Sequence, residues 1–272
     1  MNPFEVFLTT PILNLLIAFY KLLEVLPFPW PLGFAIILLT VVIRLILWPL
    51  TSAQLRSSQK MAALKPHLDR LKEEHGHDKI RHQQEITKLY KEHQVNPLAG
   101  CLPLILQIPV FIALYNVLLK IVDFNKTDFL ASINDKLYFP VLHLEKIPGT
   151  SFIGFNLSAK PSEWQQIGFL ILLVPPITGA LQFIQSKMMA PAATSKPAKT
   201  NEKQGLEDSM AQMQSQMILI MPLMIAFFSY GFPVGLSLYW NTFTIIGIIQ
   251  QYKISGPGGL NKYLPKQWQK QS

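Results

Sequence analysis

The chain has 272 residues, of which half are hydrophobic and only 15% are charged, against roughly 25% charged in a soluble domain. With 17 Phe, 5 Trp and a mean hydropathy of +0.27, this composition excludes a disordered, collagen-like or disulfide-stapled chain. It reads as an all-α polytopic membrane protein. The lone cysteine, Cys101, can form no internal bridge, so nothing depends on an oxidising compartment. Net charge is +8, from 24 Lys and Arg against 16 Asp and Glu, and in a membrane protein the placement of these charges matters more than their sum.

Residues 1–31 lack the positively charged start and small-residue cleavage site of a signal peptide. Thr10 and Pro11 suit a helix cap and first turn. Ile12, Leu15, Leu16, Phe19, Leu22, Leu23 and Leu26 then recur at helical spacing, with Asn14, Lys21 and Glu24 on the other face, until Pro27, Pro29 and Pro31 stop the helix. At about 16 residues it is short for a span, and the pattern predicts an amphipathic helix lying in the outer interface. A sixth span running back from Leu26 is the alternative.

Five apolar stretches follow, at 32–50, 98–122, 164–184, 217–232 and 233–249. With their flanks they predict transmembrane helices at 32–52, 97–122, 164–187, 216–232 and 233–252. The first three reach the roughly 20 residues that spanning takes. The last two are shorter and separated only by the turn at 231–235, which predicts a tight helical hairpin; such mismatch costs fractions of a kcal/mol per Å. Between the spans, 53–96 holds nine basic residues, 187–214 four and the tail 253–272 four, whereas the loop 123–163 balances four basic against five acidic residues. Seventeen of the 24 basic residues therefore share one side, which places that side in the cytoplasm, the amino terminus outside and the carboxyl terminus inside.

The segment 53–96 predicts a cytoplasmic helical hairpin turning at Gly76, with Pro66 interrupting the first arm and Asp78 capping the second. Ile80, Ile86, Leu89 and Tyr90 are placed to pack on Leu64, Leu68 and Leu71. His67, His75, His77, His82 and His93 lack a zinc-binding spacing and read as solvated. The Pro/Ala/Ser/Thr composition of 188–215 predicts a mobile linker. The tail 253–272 is a basic topology determinant, or a contact for anionic lipid headgroups or ribosomal RNA.

None of the five apolar stretches contains Asp or Glu, and no Walker loop, dinucleotide fingerprint, HExxH or GxSxG occurs. The chain is therefore expected to act without covalent chemistry, cofactor or metal, as a non-enzyme. One charge lies well inside a span: Arg44, at an insertion cost of about 2.5–3.5 kcal/mol. It lies six residues from Leu50, so snorkelling towards the cytoplasm is the bland alternative. Thr40, one turn deeper on the same face, turns that face away from lipid. Gln107, Asn116, Gln182, Gln185, Asn241 and Thr244 add isolated polar groups, and Trp240, Thr244 and Gln251 share a stripe of the last span. Together these predict a polar, water-holding concavity open to the cytoplasmic half.

The Arg44 span closes on Trp48, Pro49 and Leu50. After the hairpin come Asn96, Pro97, Leu98, Ala99, Gly100, Cys101, Leu102 and Pro103, followed by Gln107, Pro109, Phe111 and Tyr115. The last span brings Pro233, Gly235, Leu236, Leu238, Tyr239, Trp240, Gln250 and Gln251. In these residues and their order the sequence resembles the YidC/Oxa/Alb family of membrane protein insertases over nearly its whole length. Against the family pattern, a large outer domain and a leading signal anchor are expected to be absent, and Asn241 stands directly after Trp240. The resemblance implies a five-helix core in the bacterial inner membrane that moves nascent transmembrane segments from the cytoplasm into the bilayer. It further implies a hydrophilic groove lined by Thr40, Arg44, Gln107 and Trp240. The partners implied are nascent membrane proteins and lipid, with the ribosome and the Sec translocon beside them, and no DNA. A small-anion channel or carrier built on Arg44 is the competing reading.

Overall fold

The computed structural model describes residues 2–26, 28–95, 102–122, 129–189 and 206–263. These residues are almost entirely helical, as an apolar chain in lipid must be when every backbone polar group needs an internal partner. Among the described residues nine α-helices run in order: α1 (Thr10–Val25), α2 (Pro31–His75), α3 (Lys79–Glu92), α4 (Leu102–Val122), α5 (Phe129–Asn134), α6 (Trp164–Ile167), α7 (Val174–Met189), α8 (Leu206–Gly231) and α9 (Val234–Ser255). Three described helical segments are long and apolar enough to cross a membrane: Glu5–Val25, Pro31–Leu64 and Phe169–Met189. Gln107–Ile121 and Ile218–Gly231 are shorter apolar helices. The protein is an all-α polytopic membrane protein.

The chain divides into two compact units, the first made of Met1–Leu47, Leu104–Leu181 and Leu223–Ile246. Its core interleaves Leu13, Leu16 and Ile17 of α1 with Ile36 and Leu39 of α2, Leu114, Val117 and Ile121 of α4, and Leu236 and Tyr239 of α9. The segment 129–163 packs on this core through Ile133, Leu137, Leu144, Phe152 and Leu157. A two-stranded hairpin, β1 (Ser151–Phe152) with β2 (Phe155–Asn156), turns through Ile153 and Gly154, both at positive φ. Phe152 packs edge-on against Phe34 and Trp30. It sits so close to Gly33 that a Cβ there would fall 2.0 Å from the ring. The carbonyls of Ala159 and Leu157 accept the N–H groups of Val234 and Gly235, satisfying donors that the first turn of α9 would otherwise leave orphaned.

The amino-terminal helix is longer than its sequence pattern suggests, because a π-type turn, Glu5–Thr9, runs directly into α1. Its inward face is also rotated from the expected one. Leu13, Ile17 and Tyr20 are buried with Ile12, Leu16 and Leu23, while Leu22 and Leu26 are half exposed. Asn14 leaves the polar face assigned to it and is buried. Its amide donates to the Thr10 and Lys136 carbonyls, and its oxygen accepts from the Tyr138 N–H at 2.7 Å. At one end of the helix, Glu5 pairs with Lys136 and, at 3.0 Å, with Lys120; at the other, Glu24 pairs with Lys146 at 3.0 Å. Hydrogen bonding to Glu5 leads the effects that raise the Lys136 ammonium above its ordinary pKa.

The region expected as a third span is not one helix. Gly168, at φ +114°, ends α6, and Phe169–Leu173 winds as a 3₁₀ segment before α7. Gly168 adopts a positive φ that glycine takes freely, and Pro175 and Pro176 stand in the first turn of α7, where a missing N–H breaks no helical bond. The α8–α9 hairpin turns within Phe232 and Pro233, and the buried hydroxyls of Ser229 and Ser237 meet across it at 2.9 Å.

The second unit comprises Trp48–Pro103, Gln182–Pro222 and Gly247–Ser272. Here α2 continues unbroken to His75, so Pro66 does not interrupt the arm. Pro66 lies exposed, and the carbonyl that loses its helical donor is left for solvent. Asp78 caps α3 by accepting from the N–H groups of Ile80 and Arg81. Leu64 and Ile86 are buried between the arms, and His67 and His93 face each other at 6.2 Å between ring centroids. Ile80, expected in that seam, is 74% exposed, because a helix capped at Asp78 carries it in the first turn on the outward side. Residues 206–215, assigned by composition to the linker, are helical; their Leu, Glu, Met, Ala and Gln favour helix without needing a core. The rest of the linker (190–205), the run 96–101 and the tail beyond 263 lie outside the described residues.

Two contacts tighten this unit. Gln250, 1% exposed, donates to the Trp48 carbonyl at 3.1 Å and to the hydroxyls of Thr51 and Ser52. Gly258, at φ +52°, lies where a Cβ would fall 1.9 Å from the Met188 carbonyl oxygen, so only glycine fits this approach.

Candidate functional site

The site is built within the first unit by α2, α4 and α9. Arg44 is 5% exposed. Its guanidinium donates from Nε and Nη2 to one acceptor, the Phe243 carbonyl, at 3.2 and 3.1 Å, and its central carbon lies 3.8 Å from the centroid of the Phe243 ring. A planar fork on a carbonyl combined with a cation over a ring is an arrangement suited to arginine rather than lysine. Among the described residues no carboxylate pairs with it. The positive charge is thus held in place by neutral groups and is not neutralised.

Thr40 is fully buried and spends its hydroxyl proton on its own helix, donating to the Ile36 carbonyl at 2.7 Å. Gln107 of α4 is half-buried and donates to the Tyr239 hydroxyl at 2.7 Å. Trp240 is half-buried and meets Phe111 of α4 edge-on at 5.3 Å. Phe111 and Tyr115 in turn pack on Phe232. Oδ1 of Asn241 is buried and accepts no hydrogen bond from the described residues.

Residues chosen from sequence are therefore gathered through α9. Arg44 reaches Phe243, Gln107 reaches Tyr239, and those two aromatics lie one helical turn apart with ring centroids at 5.9 Å. Tyr239 and Phe243 are the partners that sequence reasoning left out of the site. Tyr239 carried a signal, since a fully buried tyrosine needs a partner for its hydroxyl; Phe243 carried none.

The fold and the site define a class: a polytopic membrane bundle that buries, among its described residues, a cation with no carboxylate beside it. Comparison gives the family. A family model described as 60Kd inner membrane protein matches residues 23–257. The membrane protein insertase YidC of Rickettsia massiliae (strain Mtu5) is 38% identical over 226 residues, covering 82% of this chain and 35% of the relative. That of Syntrophobacter fumaroxidans is 34% identical over 249 residues, covering 92% and 38%. A solved structure, that of an active YidC insertase crystallised with its first transmembrane domain resolved, is similar with a TM-score of 0.54 at 25% identity, covering 93% of this chain and 47% of that one. The chain belongs to the 60Kd inner membrane protein family, the YidC/Oxa group, and is a multi-pass inner-membrane protein. It spans little more than a third of the length of these curated relatives.

Proposed function

We propose that this chain moves nascent transmembrane segments from the cytoplasm into the bilayer and acts as their chaperone, through a polar groove and without covalent chemistry. The observation that carries the reading is Arg44, a buried guanidinium held by the Phe243 carbonyl and ring with no carboxylate beside it among the described residues. Such a charge attracts acidic residues in a translocating tail at little cost in reorganisation. Thr40, Gln107 and Trp240 belong to the groove in this reading, with Asn241 offering an unsatisfied acceptor. Polar groups at this depth lower the penalty for drawing a polar tail part-way across, and the apolar segment then leaves sideways, driven by burial of its surface in lipid. The names of the relatives support the same reading.

The proposed partners are nascent membrane proteins and lipid, with the ribosome and the Sec translocon supplying substrates. The carboxyl terminus lies in the cytoplasm and the amino terminus outside. In this arrangement α1 lies in the outer interface. Glu5 and Glu24 are separated by about 28 Å at the rise of an α-helix, yet Glu5, Asn14 and Glu24 all bind one segment, through Lys136, Tyr138 and Lys146. A helix crossing the bilayer would carry one of its ends to the far side.

Photocrosslinking tests the groove. A photoreactive residue at Gln107 or Trp240 is expected to capture a stalled nascent segment, while one at Glu145, exposed on the outer segment, is not. Equal capture at all three positions would contradict the assignment. The buried cation also suits a small inorganic anion, and this second reading predicts flux rather than capture.

A further inference from the structure

We propose that residues 138–141 of the outer segment form a lipid-binding wedge that seats in the headgroup–acyl boundary of the outer leaflet. The inference rests on the reading that α1 lies in that interface. Tyr138, Phe139 and Val141 are 55%, 61% and 79% exposed, although Leu137 and Leu144 on either side are buried in the core. Large apolar side chains displayed together on a water-facing loop are a liability, whereas aromatic residues are favoured where membrane meets water.

The loop is built to hold this display. Asn134 closes its base, donating to the Leu144 carbonyl at 3.1 Å and accepting from the Leu144 N–H at 2.8 Å. The Tyr138 N–H is taken by Asn14, and those of Leu142 and His143 by the carbonyls of Phe139 and Pro140. Pro140 has no N–H to satisfy. A loop whose backbone donors are largely used internally can enter an apolar boundary at reduced cost. Its depth follows from the pin to Asn14, near the middle of the continuous helical run 5–25, which itself displays Phe7 and Val25 at 77% and 84% exposure. Lys146, paired with Glu24 but 75% exposed at its side chain, keeps ammonium donors open to lipid phosphates. Exposed apolar side chains with an ammonium close by in the chain match a phospholipid interface.

The test uses the full chain in nanodiscs of phosphatidylethanolamine and phosphatidylglycerol. In a Cys101→Ser background, an environment-sensitive fluorophore is placed at Val141→Cys and, as a water-exposed reference, at Glu145→Cys. The Val141 label is expected to emit to the blue of the reference and to be quenched several-fold more by a lipid nitroxide near the headgroup than by aqueous iodide. Iodide quenching equal to that at Glu145 would overturn the proposal. So would protection from both quenchers, which would mean that protein covers the loop. Labels at Phe7→Cys and Val25→Cys separate the two readings: if their depths differ while the Val141 label still reports the interface, α1 does not lie flat and the wedge stands.

Discussion

Replacing Arg44 separates a working charge from a structural one. In its present setting the guanidinium makes a charge-assisted hydrogen bond, of about 1.5–3 kcal/mol, and a buried cation–π contact of about 1–2 kcal/mol. Against these stands an insertion cost of about 2.5–3.5 kcal/mol for arginine at the centre of a span. The terms nearly cancel, so Arg44→Ala is expected to leave the thermal midpoint in nanodiscs within a few degrees of wild type. Its effect on insertion is different. A carboxylate passing at about 8 Å in an effective dielectric of about 20 gains about 2 kcal/mol from the guanidinium, equivalent to roughly thirtyfold in rate. Loss of Arg44 should therefore slow insertion of a substrate with Asp or Glu in its translocated tail by that order, and leave a matched neutral-tail substrate nearly unchanged. Arg44→Lys keeps the charge but not the planar fork, and should retain most acidic-tail insertion. The assay is protease protection of the two substrates, with expression and melting followed for each variant. Equal losses on both substrates at normal stability would refute charge attraction, and a neutral Arg44→Leu would reduce the residue to a snorkelling one.

Gln250→Ala removes the donor shared by Trp48, Thr51 and Ser52 at a buried position; it should destabilise the protein by about 1–3 kcal/mol, visible as a lowered melting temperature. Deleting 60–90 with a short linker should leave a protease-resistant, membrane-embedded core and reduce insertion; loss of the whole core would refute a recruitment role for the hairpin. Gly33→Ala places a methyl group inside the Phe152 ring, so the β1–β2 hairpin should shift, read as faster hydrogen exchange at 151–156. Exchange at the wild-type rate would show that the ring yields freely.

Arg44 was legible in the sequence because a charge in an apolar run has few explanations, and the helical architecture followed from run lengths and basic loops. Its partner was not legible. A phenylalanine ring and a backbone carbonyl within an apolar helix look like any others, and 199 residues separate Arg44 from Phe243. Asn14 misled for a related reason. Its partners are backbone groups of Lys136 and Tyr138, which have no sequence signature, so its polarity pointed to solvent when it served as a buried clamp. Helix at 206–215 was hidden by polarity, although its residues favour helix individually. The break at Gly168 rests on glycine's freedom at φ +114°, a backbone state that an apolar run does not announce.

The central claim is tested most directly by reconstituting the purified protein alone into liposomes, presenting a single-span substrate with an acidic translocated tail, and recording chloride flux from the same vesicles. The account predicts protease-protected substrate in an Arg44-dependent amount with flux no greater than in empty vesicles. Arg44-dependent chloride flux without substrate protection would contradict it and establish the anion pathway instead.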